Sequence, residues 1–168
     1  NAFNNWKFQD EDQLIFYYVG HGGESGNDKD EAPETTDNPG DEVVALKPYG
    51  DLGEKLNLAD DDLKSLFDTL PNEMEKCVIM DACGAGGFWG DDNPYDIGDL
   101  EKINNLYGMS AAGEGKSMWY NEISHTPYFS LALETGIYAL SEASINFLDL
   151  IEFVDEFPEL YELYGTEV

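Results

Sequence analysis

Two short apolar runs, each closed by a cluster of glycines, constrain this chain more than any other feature of it. The first, Gln13–Val19 (QLIFYYV), runs into Gly20-His21-Gly22-Gly23. The second, residues 77–80 (CVIM), passes through Asp81-Ala82-Cys83 into Gly84-Ala85-Gly86-Gly87. Both runs have strand length and are built from aromatic, β-branched and aliphatic residues that suit a pleated surface. Neither alternates apolar with polar residues, so both are expected to be buried on two faces, as in a parallel sheet covered by helices.

The remaining segments fit that scheme. Residues 24–41 hold Gly, Asn, Asp, Pro and Thr without periodicity and read as a long acidic surface loop. Glu42–Leu46 (EVVAL) suits a short strand or hairpin arm. Asp60, Asp61 and Asp62 precede Leu63, Leu66, Phe67 and Leu70 at helical spacing, with Pro71-Asn72 as the stop. Acids in a first turn meet the positive end of the helix dipole. Residues 106–112 (LYGMSAA) read as a third strand and its exit, and Tyr128–Leu140 as a helix. Residues 144–157 read as a short strand or turn entering a further amphipathic helix, with Phe147, Leu148, Ile151, Phe153 and Val154 as core candidates. Strands alternating with helices predict an α/β fold with a mostly parallel sheet. At 168 residues the chain suits one domain.

Charge excludes several functions. The chain has 36 acidic and 8 basic residues, a formal charge of -28, and every basic residue is a lysine. Such a surface does not serve nucleic acid or anionic membranes, which need positive charge. No apolar run approaches the roughly 20 residues of a membrane span. The start of the chain shows no signal-peptide pattern and no initial Met, which suggests a processed or excised piece of something longer. Cys77 and Cys83 are six residues apart on one strand and its exit. An extended chain separates them by about 20 Å, beyond disulfide reach. Cys77 lies inside its apolar run and reads as core, and His125, before Thr126-Pro127, reads as surface loop.

His21 and Cys83 are different. In open parallel sheets, ligands bind outside the carboxyl ends of the strands, and each of these residues stands at such an end. A thiol and an imidazole are what nucleophilic acyl transfer requires: the imidazole generates the thiolate and later protonates the leaving amine. Flanking glycines let a peptide carbonyl approach the backbone closely. The N–H groups of Gly22 and Cys83 could then hold a developing oxyanion, worth about 2.7–4 kcal/mol per donor.

Tyr17-Tyr18-Val19-Gly20-His21-Gly22-Gly23 resembles the histidine motif of caspases and metacaspases, and Asp81-Ala82-Cys83-Gly84-Ala85-Gly86 resembles their cysteine motif. The order, the 62-residue spacing, Asp41-Glu42, Asp60 to Leu63, Leu70-Pro71 and Ser110-Ala111-Ala112 also suit the family, as do residues 127–136 and 144–154. Val19 stands where metacaspases commonly carry Ser, and Gly84-Ala85 where His-Ser is common.

The resemblance implies a caspase-like three-layer α/β/α fold over 1–168, a single catalytic domain that lacks its first strands. It implies a cysteine endopeptidase acting on protein or peptide substrates. Asp81 would line the pocket for a basic P1 side chain, with Ser110 and Ala111 at the neighbouring strand end. Calcium-activated members imply a Ca²⁺ site at Asp41, Asp60, Asp61 and Asp91. An N-terminal fragment or partner chain is expected to complete the sheet, because an open edge is costly. If Lys is accepted at P1, Lys29 is a self-cleavage candidate. Two alternatives stand beside this reading: a legumain-like asparaginyl peptidase or transamidase, and a catalytically inactive caspase-like binding or regulatory module.

Overall fold

The computed structural model describes residues 7–24, 42–46, 56–89, 100–113, 116–121, 126–140 and 147–157. The long loop expected at 24–41, apart from its first residue, lies outside them, as does His125. The chain forms two compact units, Asn1–Lys116 and Ser117–Val168.

The first unit is organised by a parallel sheet. Strand β1 (Gln13–Val19) pairs with β5 (Glu75–Asp81), from Gln13 opposite Glu75 to Val19 opposite Asp81. On its other side β5 pairs with β6 (Leu106–Ser110), from Lys76 opposite Leu106 to Met80 opposite Ser110. A second sheet is antiparallel, with β3 (Glu42–Leu46) between β2 (Gly22–Glu24) and β4 (Leu56–Ala59). Helix α1 (Asp60–Phe67) follows β4 directly, with three acids in its first turn and Lys64 paired to Asp68 at 2.7 Å one turn on. A parallel three-stranded sheet, together with the helices of the chain, bears out the α/β expectation.

One face of the parallel sheet meets the main core. Val78 and Met80 of β5 join Leu63 and Phe67 of α1, with Leu14, Phe16 and Tyr18 of β1 packed against them. Successive side chains of a strand point to opposite faces, so Ile15, Tyr17 and Val19 occupy the other face, and they are 68%, 48% and 46% exposed. This corrects the expectation that β1 is buried on both sides. Strand β5, between two neighbours, is buried from Lys76 to Asp81 and behaves as expected. Among the described residues β1 pairs only with β5, so it is an edge, and an edge strand covers one face less completely.

Lys76 is the unexpected member of β5. It is buried within the sheet, where its Nζ donates to the carbonyls of Pro71 (2.9 Å), Met74 (2.8 Å) and Asn104 (3.1 Å). The ammonium thus satisfies three backbone acceptors where the turn before β5 meets the turn before β6. Burial pulls its pKa down, with Glu73 opposing that shift.

The second unit holds a short ladder of β7 (Tyr120–Asn121) with β8 (Thr126–Pro127), then α2 (Tyr128–Leu140) and α3 (Phe147–Asp155). The helices approach closely at Gly136, where an added Cβ would lie 2.8 Å from the Phe153 ring and 2.9 Å from Leu150. No helix among the described residues is long and apolar enough to cross a membrane.

Replacing Lys76 with Met keeps the stem and removes the charge that three carbonyls share. Hydrogen bonds to charged groups are worth about 1.5–3 kcal/mol each, with partial compensation by water. The expected loss is about 2–3 kcal/mol in urea unfolding; a loss under about 0.5 kcal/mol would contradict this role for the ammonium.

Candidate active site

The parallel register of β1 and β5 brings the two glycine-rich exits to the same rim. Val19 lies opposite Asp81, and just beyond them the Gly20 N–H donates to the Asp81 carbonyl at 3.1 Å. One step further, the Gly22 Cα rests on the backbone of the cysteine turn. A Cβ there would overlap the Cys83 carbonyl oxygen and sit 3.0 Å from the Ala82 Cβ. The residues on both sides of His21 therefore touch the residues at and just before Cys83. His21 is exposed and Cys83 half-buried, so reagents in solution can reach this rim.

Each glycine beside the histidine has its own reason. A Cβ at Gly20 would overlap the Tyr18 ring, which folds back over that residue. At Gly22 the obstacle is backbone, which cannot rotate aside. Gly84, directly after the cysteine, has φ of 66°, in the left-handed region that disfavours side chains.

The cysteine turn is held from its far side. The Gly84 N–H donates to the Lys116 carbonyl and the Gly86 N–H to the Ala112 carbonyl, both at 2.8 Å. Those two donors are committed to the segment after β6. Gly22 differs. The Ala45 N–H donates to the His21 carbonyl at 2.8 Å, which makes Gly22 and Val44 a non-hydrogen-bonded pair of the β2–β3 ladder. In such a pair both backbone groups point away from the partner strand, so the Gly22 N–H is directed away from β3.

The other expected site residues fall into two groups. Asp81 ends β5 with its side chain fully buried. Ser110 ends β6 opposite Met80, and the Ala111 N–H donates to the Met80 carbonyl at 2.9 Å, so these residues lie beside the end of β5. The acids proposed for a metal are placed separately. Asp60 is buried at the first position of α1 and Asp61 is half-buried after it, while Asp41 and Asp91 lie outside the described residues. Continuing the β3–β4 register beyond Val43 and Ala59 brings Glu42 alongside Asp60, and Glu42 is also buried. The Glu42 carboxyl group fills the space that a side chain at Gly87 would need, in the 3₁₀ turn Ala85–Trp89 that follows the cysteine. Sequence reasoning gave Glu42 no role. Its apolar neighbours Val43 and Val44 mark a strand but cannot say that an acid beside them turns inward.

The two cysteines have contrasting surroundings. Cys77 is buried within β5, and burial pushes its thiol up to about 12, as a core residue requires.

The neighbouring ends of the parallel strands β1 and β5 thus carry His21 and Cys83 on abutting glycine turns. Residues 6–90, just over half of the chain, match the family model of the metacaspase, peptidase C14 domain. The chain belongs to that family. No curated protein is similar enough to the chain to count as a match.

The different burial of the thiols predicts selective alkylation. At pH 8 a thiol with a pKa near 12 is about one part in ten thousand thiolate. Iodoacetamide is expected to modify Cys83 and leave Cys77 intact, read by peptide mass spectrometry. Equal labelling of both in the folded protein would contradict the placement of Cys77.

Proposed function

We propose that the chain is a cysteine endopeptidase in which Cys83 is the nucleophile and His21 the general base and acid. The observation that carries this reading is the contact between the two strand exits: Gly20 bonded to Asp81, and Gly22 lying on the Cys83 carbonyl. A peptide bound across that rim would present its scissile carbonyl to both residues.

The reaction follows from the groups present. The imidazole takes the thiol proton, and the sulfur attacks the carbonyl carbon, moving the π electron pair onto oxygen. The oxyanion is held by the N–H groups of Gly22 and Cys83, and the outward direction of the Gly22 N–H supports its part in this. Collapse breaks the C–N bond, and the imidazolium gives its proton to the leaving amine. A water deprotonated by His21 then hydrolyses the thioester and frees the thiol.

Specificity for Lys or Arg at P1 rests on Asp81, with Ser110 and Ala111 as neighbouring walls. A carboxylate removed from water pairs strongly with a cation that reaches it. The lack of a Ser at Val19 leaves Asp81 as the main polar determinant. A further segment, from an N-terminal fragment or a partner chain, would pair along the open edge of β1. The pairing of β1 with β5 alone among the described residues supports such a partner, and the exposure of Ile15, Tyr17 and Val19 supports a cover over the face beside it.

Calcium is the activator in this reading, held by Asp60 and Asp61 with Asp41 and Asp91. The donors are all carboxylate oxygens, which suit that ion, and a cation there would relieve the buried acids Asp60 and Glu42. Among the described residues no three ligating side chains form a group, so the site depends on Asp41 and Asp91. When bound, the ion would neutralise the acids and brace the turn after Cys83.

Fluorogenic peptides ending in Lys, Arg, Asp and Asn test the reading. Turnover after Lys or Arg, abolished in Cys83→Ala, is expected. Turnover after Asn instead would move the chain to the legumain-like alternative. Peptidase rates in Cys83→Ala equal to those of the unaltered protein would leave only a binding module. Chelation is expected to lower both activity and melting temperature, and no change in either would remove calcium.

A further inference from the structure

Tyr18 sits in the row of β1 that faces the core, three residues before His21. Its ring folds over Gly20, and its hydroxyl reaches past the end of the strand. There the oxygen lies 3.0 Å from the His21 carbonyl oxygen and 2.8 Å from the Ala45 carbonyl oxygen. A phenol has one proton to donate, and here it lies between two acceptors on neighbouring strands. The His21 carbonyl also accepts the Ala45 N–H, at 2.8 Å. The His21 oxygen thus has two donors within reach, the Ala45 N–H of β3 and the Tyr18 hydroxyl of β1, whose proton it shares with the Ala45 carbonyl.

A trans peptide unit is planar, with its C=O and N–H pointing in opposite directions. The His21 carbonyl and the Gly22 N–H belong to the same unit. Fixing the carbonyl toward β3 and Tyr18 therefore fixes the N–H on the opposite side. We propose that Tyr18 is a positioning residue: its hydroxyl locks the His21–Gly22 peptide plane and so aims the Gly22 N–H at the oxyanion. The inference rests on the peptidase reading above. Tyr18 does not touch the reacting atoms, and its influence passes through the His21 carbonyl. The partial burial of the phenol raises its pKa, so the hydroxyl keeps its proton throughout the neutral range. The ladder here is short, since β2 is a three-residue strand, so the additional bond has little redundancy behind it.

Tyr18→Phe keeps the ring over Gly20 and removes only the hydroxyl. Complete loss of an oxyanion donor costs about 10²–10³ in kcat. Loosening one is expected to cost about tenfold in kcat, with KM within about twofold, because the oxyanion exists only in the transition state. The rate of Cys83 alkylation by iodoacetamide, which forms no oxyanion, is expected to be unchanged. A kcat within twofold of the unaltered enzyme would overturn the proposal. So would a parallel fall in kcat, alkylation rate and melting temperature, which marks a scaffold role. Amide hydrogen exchange needs no substrate: at Ala45 it is expected to quicken at least severalfold in Tyr18→Phe while amides of the β1–β5 ladder hold. Unchanged exchange at Ala45 would overturn the anchoring even if no peptide is ever cleaved. An unaltered protein inert toward every peptide would instead sink the peptidase reading, and the exchange result would still decide the anchoring.

Discussion

The pairing of β1 with β5 in one fixed parallel register underlies everything else in the first unit. It sets Val19 against Asp81, and the two glycine turns meet only because the strands end together. A slip of one residue would turn Leu14, Phe16 and Tyr18 away from the core and bring Ile15 and Tyr17 into it. It would also carry His21 one position past the cysteine turn. Core packing on one face of the sheet thereby fixes the relation between two chemically reactive residues at its rim. Neither residue contributes to that packing.

Once the strands are aligned, the glycines define how closely their exits approach. Gly20 yields its space to Tyr18, and Gly22 to the Cys83 carbonyl. Gly84 turns the chain through a backbone conformation that side chains disfavour. The segment after β6 completes the frame by accepting the Gly84 and Gly86 N–H groups. The rim is thus built from backbone hydrogen bonds and close backbone contacts. Such contacts fix the cysteine turn without filling the space in front of it.

Much of this was legible from residue order alone. The bounds of β1, β3 and α2 follow from composition and from the glycines and prolines beside them, and α1 begins at the acids that favour a helix start. The third strand stops at Ser110, two residues before the expected exit ends, because Ala111 and Ala112 already turn. Strands β2 and β4 were not foreseen. Gly22–Glu24 has almost no side chain to signal a strand, and its ladder comes from a distant partner. The exposure of Ile15, Tyr17 and Val19 was equally hidden, since an apolar run carries no mark of whether its strand lies at an edge. Lys76 and Glu42 are buried charges inside apolar strands, and only the turn carbonyls around the one and the glycine beneath the other explain them. At the rim, His21 and Cys83 announced themselves through residue type and flanking glycines. The anchoring hydroxyl of Tyr18 needed coordinates, because its partner on β3 is 27 residues away along the chain.

In the proposed mechanism the thiol of residue 83 acts with the imidazole of residue 21 on a bound peptide. A peptidyl acyloxymethyl ketone with Lys at P1 reacts irreversibly with such a thiol and reports directly on that partnership. Intact-mass and peptide analysis are predicted to find a single adduct, on Cys83, formed far more slowly in His21→Ala. An adduct on Cys77, or one on Cys83 that forms as fast without the imidazole, would contradict the account.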